Sequence, residues 1–589
     1  MTQRKPTAAL EDTPVFHPLL LAICPILGLY AYNVGTVSWT VLIRPILVAL
    51  AVAEVLLIGF WIGLRDKHKA GLLTSVLLLA LVWGWGVLET SINAAFPYVQ
   101  VQEPIIVYTA MAGLVVILTL GIVVFYRANL RRALMMASLF LAFVLGGALV
   151  VGLFLDRVFG VIASTFILTY IAVVTVGLVC LARWKQDFKP WTRTANWFGV
   201  MLVALYSALV LFNAPREEKV IPPPLEVTAE NAPGQEAFPD IYLFVVEGYA
   251  RCDVLLKRYS YNDLPVLESL QQKGMKFSPD AFSNYSWDMQ SVASLLNMDY
   301  LDRLLPPKMP DTTEYASLTD LYHHNRFFRI LRGHGYEIVA YSPGVQALEA
   351  GPLIDRKLSP PWTLTEFEAV LLNTAVTKRC LEIVFYAKGL DPRAWFRGFH
   401  RARIEYVFET IDEVAAEEHQ APRLVFAHLT IPDMPFLFGR KGGWVDLGSA
   451  KTFEEFYLDQ LHYTGKRLRT AVEEICQGAT RPFVIVIASS HGPAMLSTDD
   501  MTEPGALAAR FGILLGLRYP ETDKHGPAPA ETKKSLVNTL RTVLNRSVHA
   551  NVPLLEDQAY LTSQERPLEG QPVTIPILET AVTPVLEAR

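Results

Sequence analysis

The chain has 589 residues, 52% of them hydrophobic and 19% charged, with a formal net charge of −5. A positive mean hydropathy at this length excludes an ordinary soluble protein. The mild acidity gives no electrostatic ground for a nucleic-acid partner, and none is expected.

The apolar excess lies before about residue 214. Seven runs there are long enough to cross a bilayer, for which a helix needs ~20 apolar residues: 15–33, 38–63, 71–91, 105–126, 134–155, 159–182 and 195–213. The fifth and sixth are parted only by Asp156-Arg157. Basic residues gather in alternate loops: Arg4 and Lys5; Arg65, Lys67 and Lys69; Arg127, Arg131 and Arg132; Arg183, Lys185, Lys189 and Arg193. Lys and Arg concentrate on the cytoplasmic side. The pattern therefore puts the N-terminus inside and everything after Phe212 outside. No small-residue cleavage site follows the first run, which reads as a retained anchor. Arg44, Glu54 and Glu89 fall within spans. Such charges are costly in lipid and mark a pathway or a polar contact between helices, unless Arg44 snorkels to the interface and the carboxylates are neutral or paired.

Residues 214–238 form a linker with three consecutive prolines, Pro222 to Pro224, expected to be extended and semi-rigid. The rest, 239–589, is long enough for one large domain. The tail after Arg566 reads as an edge strand or loose chain. Cys252, Cys380 and Cys476 show no metal-like spacing and read as buried thiols, with at most one disulfide. Strands are expected at Ile241–Val246, Tyr336–Tyr341, Arg423–His428 and Phe483–Ala488. Helices are expected at Leu264–Lys273, Ser291–Leu296, Ser317–Leu331 and Phe453–Ile475. Apolar strands alternating with amphipathic helices imply an α/β domain, its mostly parallel sheet sandwiched by helices. Ligands bind at the carboxyl ends of such strands. Glu247, His428 and His491 fall there together.

Several segments then follow in an ordered series. Phe238-Pro239-Asp240-Ile241-Tyr242 leads through Glu247-Gly248-Tyr249-Ala250-Arg251-Cys252-Asp253. After it come Ser283-Asn284-Tyr285, then Asn325-Arg326 with Gly333-His334-Gly335-Tyr336, then His428-Leu429-Thr430-Ile431-Pro432-Asp433-Met434-Pro435. Tyr457-Leu458-Asp459-Gln460-Leu461 and Leu554-Leu555-Glu556-Asp557 close the series. Over roughly residues 238–565 this resembles the membrane-anchored sulfatase-like proteins of the alkaline phosphatase superfamily, with the phosphoethanolamine and phosphoglycerol transferases. The membrane region shares no clear likeness, and the phosphoethanolamine transferases have fewer spans.

The resemblance implies a bacterial inner-membrane, multi-pass protein with a periplasmic α/β domain of alkaline phosphatase/sulfatase type. It also implies a divalent ion, zinc or manganese, that activates a Ser, Thr or modified Cys nucleophile. Here the pattern is altered. The acidic first ligand falls on Glu247, but the Asp of the Asp-His pair is Ser490, before His491. The nucleophile position falls on Asp288, and the second His of the loop falls on Asp433. The candidate metal set is Glu247, Asp288 and His491, with Asp288 the catalytic candidate. Asn284, His428, Asp433 and Arg440 are candidates for substrate binding. Each has a structural alternative: Asp288 as helix N-cap, Ser490 as a strand-end hydrogen bonder, Asp433 as a turn former, His428 as loop support, Arg440 as solvated loop. Ser286 and Ser291 are hydroxyls out of register.

Loss of a nucleophile costs ~10⁶ in kcat where it has been measured, and loss of an outer-shell partner typically ~10–100-fold. The expectation is a catalytically degenerate domain that binds an envelope glycan, a lipid headgroup or a partner membrane protein, with the metal's presence left open. The alternatives are an active metal-dependent hydrolase or transferase with a rewired site, using Asp288 as nucleophile or ligand, and a membrane function centred on Glu54 and Glu89 with the outer domain as sensor or lid.

Overall fold

The structure, a computed structural model, describes residues 13–34, 37–82, 187–213, 220–225, 238–305, 314–345, 348–349, 351–361, 363–373, 392–446, 449–493, 504–520, 535–563 and 568–578. The expected spans 105–126, 134–155 and 159–182, the end of 71–91 and Glu89 lie outside these residues. The chain divides into two units, Met1–Arg216 with Thr365–Ala394, and Glu217–Leu364 with Trp395–Arg589.

In the first unit, apolar sequence forms helices His17–Asn33, Ile43–Leu64, Lys67–Val82 and Lys189–Asn213. Among the described residues, two helices are long and apolar enough to cross a membrane, Trp39–Leu64 and Lys189–Asn213. Leu47, Val55, Ile62, Met201 and Leu211 point outward from them, as an apolar solvent would favour. Glu54 is exposed on the same helix face region as these apolar side chains. Asn196 binds the start of the first helix, accepting from His17 N–H (3.0 Å) and donating to Pro14 O (2.7 Å).

Residues 365–394 join this unit, a division that the expected boundaries at 213 and 239 did not include. Thr365 and Glu368 close the start of helix Glu366–Asn373 reciprocally: Glu368 N–H donates to Thr365 Oγ1 (3.2 Å) and Thr365 N–H to Glu368 Oε2 (2.8 Å). Glu368 also receives both Nε and Nη2 of Arg44. Arg44 thus has a carboxylate partner from a segment over 300 residues away in sequence. Phe367, 4% exposed, packs with Ile26 and Tyr30.

In the second unit, strands β1 (Asp240–Glu247), β2 (Lys276–Phe277), β3 (Glu337–Tyr341), β4 (Arg356–Leu358), β5 (Arg423–Pro432), β6 (Phe483–Ser489) and β7 (Leu515–Arg518) form one sheet in the order β2-β7-β6-β1-β5-β3-β4. The block β6-β1-β5-β3-β4 is parallel; β7 is antiparallel to both β6 and β2. Side chains alternate along a strand, so the apolar run Ile241–Val246 of β1 feeds two cores. Tyr242, Phe244 and Val246 enter one, while Ile241, Leu243 and Val245 enter the other. A sheet covered on both faces is what makes such a strand uniformly buried. The tail does add a strand, Gln571–Val573, but it pairs with Ala559–Leu561 in a separate two-stranded sheet.

Two expectations change locally. The helix expected over 317–331 is two helices, Glu314–His323 and Arg326–Gly333. Asn325 caps the second by accepting from Phe328 N–H at 2.8 Å, and a cap residue has non-helical backbone. The described part of the linker lies against the second unit: Val220 N–H donates to Asp320 (3.0 Å), and Arg326 Nε donates to Pro223 O (2.6 Å).

Candidate functional site

The central strands β6, β1 and β5 deliver their carboxyl ends to one place. Glu247 ends β1, His428 lies on β5, Asp433 follows β5, and Ser490 and His491 follow β6. Backbone bonds lock these ends together. Asp433 N–H donates to Glu247 O (3.0 Å), Gly248 N–H to His491 O (3.1 Å), and Ser490 N–H to Val246 O (2.8 Å). Gly248 has φ +78°, and a Cβ there would stand 2.8 Å from Asp433 Cβ. Only glycine meets both conditions at low cost.

The helix Phe453–Gly478 holds the loops from one side. Tyr457 OH donates to Gly248 O (2.8 Å). Gln460 Nε2 donates to Asp433 O (2.7 Å), while its Oε1 accepts from Leu437 N–H (2.6 Å) and Phe438 N–H (3.0 Å).

Glu247 and His428 face each other. His428 Nε2 lies 2.9 Å from Glu247 Oε1, and neither of these buried atoms makes a hydrogen bond. Burial, aided by Asp288 and Asp433, pushes Glu247 well above the usual carboxylate range. Burial draws His428 down to about 4, against the pull of Asp288. His491 is also driven well below the ordinary imidazole range, by burial and then by Arg510. Its Nδ1 is 2.5 Å from Gly492 O, so in the neutral ring that nitrogen carries the proton, and it stands 3.8 Å from Asp433 Oδ2. Asp433 Oδ1 accepts from Met434 N–H (2.8 Å), the expected turn-forming bond.

Asp288 is half-buried in the first turn of helix Asp288–Asn297, but the N-cap is Trp287 and no side-chain hydrogen bond closes that cap. The capping role considered for Asp288 is therefore not made. Asp288 acts electrostatically on Glu247, His428 and Arg510, and so belongs to their cluster.

Two candidates stand apart. Asn284 donates to Gln558 O (2.7 Å) and accepts from Val537 N–H (2.7 Å). Both ends of its amide are committed to holding the fold. Arg440 is exposed, and its charge is felt by Tyr261 and His462. The neighbouring hydroxyls are also committed: Ser286 Oγ donates to Thr562 O (2.9 Å) and Ser291 Oγ to Tyr285 O (2.9 Å).

Sequence reasoning missed Arg510. It lies in the last turn of helix Pro504–Phe511, is 2% exposed, and lies over the Trp287 ring at 4.4 Å. Its signal was visible: a lone cation inside the apolar stretch Ala506–Leu515. Burial lowers it to about 10, opposed by Asp433, Asp288 and Glu247.

The donor set does not fit a divalent ion as it stands. Glu247 Oε1 and His428 Nε2 are suitable donors without partners. Of the other candidates, His491 has its Nδ1 on Gly492 O, Asp288 comes from a helix start rather than a strand end, and Ser490 offers only a hydroxyl, a poor ligand beside carboxylate or imidazole. Among the described residues, no three His, Cys, Asp or Glu side chains are grouped to hold a metal. A guanidinium meanwhile shares the cluster. The arrangement can hold a proton on Glu247, exchange hydrogen bonds through two neutral imidazoles, and present one fixed cation.

No protein-family profile matches the sequence, and no curated protein does. Among solved structures, the chain is similar to the C-terminal periplasmic domain of EcEptC from Escherichia coli, at 13% identity over 58% of this chain and 93% of that one, with a TM-score of 0.36. A zinc complex of the same domain is similar at 12% identity, over 59% and 96%, with a TM-score of 0.37. The integral membrane lipooligosaccharide phosphoethanolamine transferase A from Neisseria meningitidis is similar at 10% identity, over 65% and 75%, with a TM-score of 0.33. The solved structures this chain is similar to are thus phosphoethanolamine transferases, together with sulfatases such as a putative one from Bacteroides thetaiotaomicron at 11% identity over 56% and 74%, with a TM-score of 0.32.

Proposed function

We propose that this chain is a multi-pass bacterial inner-membrane protein. In this reading residues 1–213 form about seven spans with the N-terminus cytoplasmic, 214–238 link them outward, and 239–589 form a periplasmic domain of sulfatase or phosphoethanolamine-transferase type. The domain binds an envelope glycan, a lipid headgroup or a partner membrane protein at the Glu247–His428–Asp433–His491 cluster and does not turn it over. One observation supports this: Ser286 and Ser291, the hydroxyls beside the Asp288 that resemblance sets at the nucleophile position, already donate to backbone carbonyls. In a hydrolase where it has been measured, loss of the nucleophile costs ~10⁶ in kcat.

A second reading is favoured by Asp288 itself. It is half-buried and does not cap its helix, and carboxylates do form acyl-phosphate intermediates. The two readings separate on the full-length protein in detergent, assayed with phosphate and sulfate monoesters and diesters. The binding reading expects no turnover that depends on Asp288. Hydrolysis or transfer abolished by Asp288→Asn, with a phosphoryl adduct on Asp288, would replace it with the active enzyme.

A further inference from the structure

Arg510 is anchored to two of the three segments that carry the altered residues, those of Asp288 and Ser490. Its Nε donates to Ser286 O, two residues before Asp288, and its Nη1 donates to Gly492 O (3.2 Å), next to His491. The approach is built into the backbone. Gly492 N–H donates to Arg510 O at 2.7 Å, and a Cβ on Gly492 would fall 1.8 Å from Ala509 O. No other residue fits there without moving the end of the helix. The third arm, Nη2, is buried and has no hydrogen-bond partner. An unpaired buried charge of this kind is strongly unfavourable, so it persists only where surrounding carboxylates compensate. Those acting on it are Asp433, Asp288 and Glu247.

We propose that the Arg510 guanidinium is the resident cation of this site, standing in for a divalent metal as the charge that lets Glu247 and Asp433 at the strand ends gather with Asp288 at its helix start. A planar fork fixed by two backbone carbonyls and an aromatic face is well suited to such a buried role. The carboxylate missing at Ser490 accords with this, because a single positive charge needs fewer acidic partners than a divalent ion. The cluster is taken here as the domain's ligand site, as above, but the identity of its cation is tested separately from turnover.

The test uses the full-length protein in detergent, purified without chelator, with elemental analysis and thermal melting in EDTA, Zn²⁺ and Mn²⁺. The wild type is expected to hold no stoichiometric metal and to melt at the same temperature in EDTA as in either ion. Arg510→Gln is expected to melt lower and to be raised by Zn²⁺ or Mn²⁺, because the acidic groups have lost their counter-charge. Should Arg510→Gln fail to fold, Arg510→Gln with Asp288→Asn is expected to restore folding by removing one uncompensated carboxylate. The proposal is overturned by one equivalent of metal in the wild type that Glu247→Gln abolishes. It is equally overturned if Arg510→Gln is indifferent to metal, or if the double variant gives no rescue of an unfolded single one.

Discussion

Gln460 has no solvent exposure and uses both ends of its amide, one on the loop carrying Asp433 and the other on Leu437 and Phe438. Truncation to Ala leaves these backbone groups buried without partners, at about 1–3 kcal/mol. Gln460→Ala is therefore expected to lower the chemical-denaturation midpoint, with Gln460→Glu an incomplete substitute because a carboxylate cannot donate to Asp433 O. Asp263 gives a pH signature outside the site. Its Oδ2 accepts from Tyr249 OH (2.9 Å), Oδ1 has no partner, and burial pushes its carboxyl up to about 7. The folded chain then keeps a proton that the unfolded chain releases, so stability falls as pH rises from the ordinary aspartate range through about 7. Melting curves across that window are expected to flatten in Asp263→Asn.

The longest helix in the second unit, Phe453–Gly478, starts with a reciprocal cap. Glu455 N–H donates to Thr452 Oγ1 (3.2 Å) and Thr452 N–H to Glu455 Oε2 (2.7 Å). Thr452→Ala is expected to cost about 1 kcal/mol by denaturant titration, and Thr452→Ser much less. The four expected strands all form, because uninterrupted runs such as Ile241–Val246 have no other low-energy destination than a sheet covered on both faces. The short strands β2, β4 and β7 were not legible, since two to four residues carry too little period to read. The break at Asn325 was missed because the apolar spacing continues through it. At the site, Glu247, His428, Asp433 and His491 could be placed together, since parallel-sheet topology sends strand ends to one edge. The roles of Asn284 and Arg510 depend on partners far away in sequence, Gln558 and Val537 for the first, Ser286 and Gly492 for the second. No local pattern encodes those.

At the level of the whole chain, the backbone crosses between the two units three times, outward near residue 216, back near 364 and outward again near 394. Phe367 and Leu371 pack with Ile26, Tyr30 and Val210 in the first unit. A product spanning 217–589 alone would leave those side chains without cover. We expect limited proteolysis to cut it within Glu366–Asn373, and the full chain to be cut there more slowly. Equal cleavage of both would argue against the assignment of this segment to the first unit.

The order of synthesis gives β1 an unusual exposure. Its two neighbours, β5 and β6, begin only at Arg423 and Phe483, after the chain has gone back to the first unit. A nascent chain therefore carries six consecutive apolar residues, Ile241–Val246, with unpaired edges until β5 and β6 have been made. Such a strand is an aggregation hazard until paired. Folding of the second unit thus waits on the late-made strands β5 and β6.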